Sequence, residues 1–149
     1  MKTPIAKAVK ASFENGLFAL WPFFERNTDE PLPRECRLYR WAASPVTFFV
    51  TLQTHRRDDS FTIEIGWSLD GVSPLLFLAR APVPEGAQAY KGYRFRLVRL
   101  WEDSDKWWEV QDPSAASAAV NDAVGHLRSH GEPYLRDVAQ QLGVAFGSA

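Results

Sequence analysis

Apolar positions fall into a helical stretch, a run of alternating stretches, and a second helical stretch. Ile5, Val9 and Phe13 recur at i, i+4 and i+8, the repeat of one helix face. Thr3 before Pro4 is a good N-cap followed by a Pro at the first helical position. Gly16 is a natural residue just past a helix end. The pattern predicts a helix over 3–16, with Lys2, Lys7 and Lys10 on its solvated side. Leu17 to Phe24 is almost wholly apolar but holds Pro22, which a central strand tolerates badly. That piece reads as an extended edge strand or an irregular wrap. Asn27 to Pro33 is an acidic, turn-rich link.

Alternation then takes over. Cys36–Ala42 and Val46–His55 read as strands. In the second, Phe48, Val50 and Leu52 share one face, and Thr47, Phe49, Thr51 and Gln53 the other. Phe61, Ile63, Ile65 and Trp67 alternate strictly with Thr62, Glu64, Gly66 and Ser68, the signature of a half-buried strand. The links between these strands are too short for crossover helices, so the strands pair antiparallel. Leu75–Ala79 is apolar but short, and strand and helix both fit it. Ala81–Ala87, with Pro82, Pro84 and Gly86, reads as a loop. Tyr93–Trp101 reads as a strand, with Arg94 and Arg96 opposite Phe95 and Leu97. Lys106–Gln111 reads as its hairpin partner, carrying Trp107 and Trp108.

At the C-terminal end, Asp112-Pro113 again pairs a cap with a first-position Pro. Val120, Ala123, Val124 and Leu127 mark a helix to about Ser129. Gly131 breaks it, and Pro133 restarts a second helix through Leu135, Val138, Ala139 and Leu142. Gly143 stops that helix, and a frayed tail follows. The order predicts an α+β fold: an antiparallel sheet of about five strands, one N-terminal helix and two C-terminal helices. The helices cover one sheet face. The other is open, or partly covered by Leu17–Phe24 and Leu75–Ala79.

Composition narrows the function classes. The chain has 149 residues, the size of one domain spanning 1–149. It is 46% hydrophobic and 13% aromatic, which predicts a ring-rich core. The net charge of −1 argues against a nucleic-acid partner, which calls for a basic excess, and gives no reason to expect a membrane surface. Cys36 is the only cysteine, so an intramolecular disulfide and a Cys-based zinc site are both excluded. The first residues lack the apolar core of a signal peptide, and no stretch is long enough for a membrane span. The expectation is a cytoplasmic protein.

Catalytic constellations are hard to find. Cys36 lies in a strand, without a helix N-terminus to activate its thiol. His126 and His130 stand four apart, but the second sits where a helix should be ending, and no Glu lies between them as in a zinc motif. No Gly-rich phosphate loop is present. Glu64 is the one acid set among strong β-formers; an ion pair with Arg94 or Arg96 across the sheet is the plain expectation for it. No catalytic residue, metal ligand or cofactor is expected. What remains is a surface: Gln53, Glu64, Arg94 and Arg96 on the polar sheet face, and Trp107 and Trp108, which as strand neighbours must point to opposite sides.

Three runs carry a resemblance: Arg37-Leu-Tyr-Arg40, Phe49-Val-Thr-Leu-Gln53 and Phe61-Thr-Ile-Glu-Ile-Gly66. In these the chain resembles a family of uncharacterised small bacterial α+β domains, over about its first half. The resemblance implies a helix leading into three such strands, in a bacterial protein sometimes found in the company of toxin–immunity genes. It implies no activity and no catalytic residue.

The expected function is a non-catalytic interaction module, such as an immunity protein that binds and neutralises a toxin domain. Acidic loops at Asp29, Glu30, Asp103 and Asp105 would face a basic partner. The alternative is a small-molecule-binding protein or enzyme with a pocket between sheet and helices.

Overall fold

The computed structural model describes residues 1–147. Helix α1 spans Thr3–Leu20 and buries Ile5, Val9, Phe13 and Leu17. The strands are β1 (Glu25–Asn27), β2 (Cys36–Ala42), β3 (Thr47–Thr54), β4 (Ser60–Ser68), β5 (Leu76–Phe77), β6 (Gly92–Arg96) and β7 (Trp108–Glu109). Helices α2 (Ala116–His126) and α3 (Glu132–Gln141) follow. The fold is α+β, with a seven-stranded sheet in the order β1-β2-β3-β4-β6-β5 and β7 pairing with β4. All pairs are antiparallel except β5 with β6.

The alternating runs behave as their side chains dictate. Tyr39, Phe48, Val50, Leu52, Ile63, Ile65, Trp67 and Phe95 form one continuous face, packed under the buried stripes of all three helices. Gly66 has a specific reason to lack a side chain: a Cβ there would lie 2.4 Å from the Tyr93 carbonyl oxygen. Its absence lets β6 close on β4.

Several expectations need correction. Helix α1 runs on past Gly16, which is no C-terminal cap. A Cβ at Gly16 would lie 3.2 Å from Val124 Cγ2, so this glycine is where α1 and α2 pack closely. Leu17–Leu20 is therefore helix, and Trp21 and Phe24 join the helix-side core. Lys2, not Thr3, takes the N-cap position. Gly131 does not break the C-terminal helices: Leu127–Gly131 forms one π-helical turn that joins α2 to α3. Strand β6 ends at Arg96, and Leu97–Leu100 coils into a 3₁₀ turn. The Trp108 strand pairs with β4 through Phe61, not with β6.

Gly143 does stop α3. Its φ is +77°, and Val144 N–H donates to the Ala139 carbonyl at 2.8 Å while Gly143 N–H donates to Gln140 at 3.2 Å. That is the Schellman pattern. The tail beyond it is docked rather than frayed. Phe146 is buried among Trp21, Phe23, Phe24, Trp41 and Phe48, with ring centroids 5.3–6.5 Å away.

Candidate functional site

The second sheet face is not an open polar surface. Thr51, Thr62, Glu64 and Ser68 project from it, and all are buried, as are Leu38 and Phe49 beside them. Among the described residues, loops rather than the three α-helices cover this face. Arg94 Nη1 donates to the Pro74 carbonyl at 3.0 Å and to Ser73 Oγ at 3.4 Å. Ser73 N–H in turn donates to Glu30 Oε1, which ties the 28–35 link to the 69–75 turn. Thr62 Oγ1 donates to the Lys106 carbonyl at 3.0 Å. Leu75–Ala79 does not lie over the face: Leu76 and Phe77 extend the sheet beside β6 as its edge strand.

Under this cover sits a charged network. Arg94 stands opposite Gly66 in register and reaches diagonally to Glu64, with Nε 3.1 Å from Oε1. The Nε–H is not aligned on that oxygen, so the contact is ionic rather than a hydrogen bond. Burial raises the Glu64 pKa, and the guanidiniums of Arg94 and Arg96 offset only part of that. Arg96 is directly opposite Glu64 but pairs instead with Asp105 at 2.5 Å. Arg99 binds Asp105 and Asp103 from the next turn.

The two tryptophans separate as strand geometry requires. Trp108 is buried, stacked on Phe61 at 5.7 Å, and its Nε1–H donates to Asp122 Oδ2 at 2.8 Å. Trp107 lies on the other side, edge-on to His55 at 5.1 Å and under the Arg96 guanidinium at 5.2 Å. It borders an open cleft of about 580 Å³ with Asp58, Asp59 and Glu109. The structure thus brings Glu64, Arg94, Arg96 and Trp107 into one neighbourhood, leaves half-buried Gln53 near its rim, and takes Trp108 into the core. These side chains are mostly engaged with one another rather than aimed into a cavity.

The remaining candidates are placed as follows. Cys36 is half-buried, and burial followed by the nearby Glu64 charge raises its thiol pKa, which disfavours the thiolate. His126 and His130 both stack on Trp101, each 4.6 Å from its ring, because the π turn keeps them on one continuous helical run.

Two features escaped sequence reasoning. One is an apolar surface: among the described residues, every large exposed hydrophobic except Leu32 falls between Leu69 and Tyr90. The other is a basic cleft between α1 and the β2–β3 end of the sheet, bordered by Lys7, Lys10, Arg34, Arg37 and Arg56.

A family model described as a domain of unknown function, DUF4304, matches residues 34–137. The match takes in β2 to β7, α2 and the first half of α3, and leaves out α1. No curated protein and no solved structure matches the chain.

Proposed function

The chain belongs to the DUF4304 family, a domain of unknown function, and from there we propose that it is a non-catalytic protein-interaction module whose contact surface is the apolar segment around β5. One observation carries this reading. The main strand path β1-β2-β3-β4-β6-β5 ends in two edge strands of opposite character. Edge strand β1 carries exposed Glu25 and Arg26, the kind of edge that resists further pairing. Edge strand β5 is the reverse: Leu75, Phe77 and Leu78 are exposed, Leu75 by 84%, and no charge lies within Leu75–Ala79.

The occupant we assign is an extended apolar segment of a partner protein, added as a strand along β5. Its main chain would pair with the free edge, and its side chains would cover Leu75, Phe77 and Leu78. The acidic loops that suggested a basic toxin domain support this less. Asp29 pairs with Arg40, and Asp103 and Asp105 pair with Arg99 and Arg96. Those carboxylates already have arginine partners within the same chain.

The double variant Leu75→Asp, Leu78→Asp tests the reading. Both positions are exposed, so the fold should hold. The wild-type chain, recovered from its native cells, should carry a protein partner that the variant loses. A variant that keeps the same partner at the same occupancy contradicts the proposal.

A further inference from the structure

The basic cleft is the second feature that local sequence pattern hides. Lys7 and Lys10 are one turn apart on α1, on the same side as Thr3 and Ala6. Arg34 precedes β2, Arg37 lies on β2, and Arg56 sits in the turn after β3. Met1 backbone nitrogen donates to the carbonyls of His55 and Arg56, which holds the start of α1 against that turn. Five cations thus converge on a space of about 470 Å³.

Their counter-charges are few. Among the described residues, Glu35 is the only carboxylate lining the cleft, and it contacts Arg56 at 3.4 Å. Arg37 reaches Glu14 at 3.9 Å. Among the described residues, Lys7, Lys10 and Arg34 make no ion pair. Burial, and then the charges of Arg37, Arg34 and Arg26, hold the Lys10 ammonium below its ordinary pKa. Two carboxylates against five cations leave an excess of positive potential at this site, in a chain of net charge −1.

We propose that this cleft binds a compact multi-phosphate anion through its phosphate oxygens. Arginine forks match phosphate geometry, and lysines add point charge. Among the described residues, the one aromatic ring in the lining is His55, and it is already held edge-on to Trp107 with Nδ1 accepting from the Arg57 and Asp58 N–H groups, so the phosphates rather than a base are the recognised part. The cations form one concave cluster rather than a stripe, which suits a small anion better than a nucleic-acid backbone. The site is independent of the β5 surface, and Lys7 and Lys10 lie outside the family match.

Calorimetric titration with inorganic tripolyphosphate at about 0.05 M ionic strength is the test. The wild type should bind saturably and more weakly at about 0.2 M. Lys10→Gln with Arg34→Gln should weaken binding by at least about tenfold. Arg128→Gln, on an exposed cation beside the C-terminal end of α1, should leave it unchanged. Adenosine triphosphate should bind within a few-fold of tripolyphosphate. No saturable binding by the wild type, no loss in the double variant, or much tighter binding of adenosine triphosphate or of a single-stranded oligonucleotide would each overturn the proposal.

Discussion

Arg94 Nε lies 3.1 Å from Glu64 Oε1, beneath loops that leave Glu64 only 2% exposed. A buried carboxylate with one close cation depends on that cation. Arg94→Leu should destabilise the protein by about 2–3 kcal/mol at neutral pH, somewhat below a fully buried pair because the Arg94 side chain is 22% exposed. Replacing both residues by Leu should recover most of the loss, since the uncompensated charge is gone. Urea unfolding of the three proteins measures this. A double variant no more stable than Arg94→Leu would show that the pair matters through something other than charge burial.

The same carboxyl has a pH signature. Burial raises its pKa in the folded state, so between the ordinary carboxylate range and the raised value the folded chain holds more proton at Glu64 than the unfolded chain. Stability from this group is then fully present below the ordinary range and is lost as pH rises through the raised value. Glu64→Gln removes the titration. The wild type should therefore lose ground to Glu64→Gln as pH rises above the carboxylate range. A wild type that gains on the variant over that range would reverse the assigned sign.

Gly16 offers a test of helix packing. Alanine favours a helix interior over glycine by about 1 kcal/mol, but its Cβ would press on Val124 at 3.2 Å. Gly16→Ala alone should be near neutral. In a Val124→Ala background it should stabilise by about 1 kcal/mol, and Gly16→Leu should cost about 1–3 kcal/mol. Thermal melts suffice; a destabilising Gly16→Ala in the Val124→Ala background would refute the packing role.

The docked tail makes a simple claim. Phe146→Ala should cost about 3 kcal/mol, the loss of a ring from a packed aromatic cluster. An unchanged denaturation midpoint would mean that Phe146 does not hold the tail against the core.

These cases show what was legible in the sequence. The Phe61–Trp67 alternation is strict, and it runs through the centre of the sheet with its apolar side toward the helices. Trp107 and Trp108 were bound to split, and they do. The errors arise where distant residues decide. Gly16 looks like a helix end until Val124, 108 positions later, is seen against it. Gly131 looks like a break, but its φ of −70° is helical, and Leu97 and Leu127 pack closely over it. The polar face of β4 looked wet because its cover comes from irregular loops with no periodicity to read. The basic cleft draws on residues from 7 to 56, and acids elsewhere cancel it in the net charge.

The central claim is that β5 is an edge left open for a partner strand. Amide hydrogen exchange on Leu75–Leu78, free and in the complex with the recovered partner, tests it most directly. The account predicts fast exchange at the outer edge in the free chain and strong protection in the complex, with β1 unchanged. Equal exchange at Leu75–Leu78 in both states, or protection at β1 instead, would contradict it.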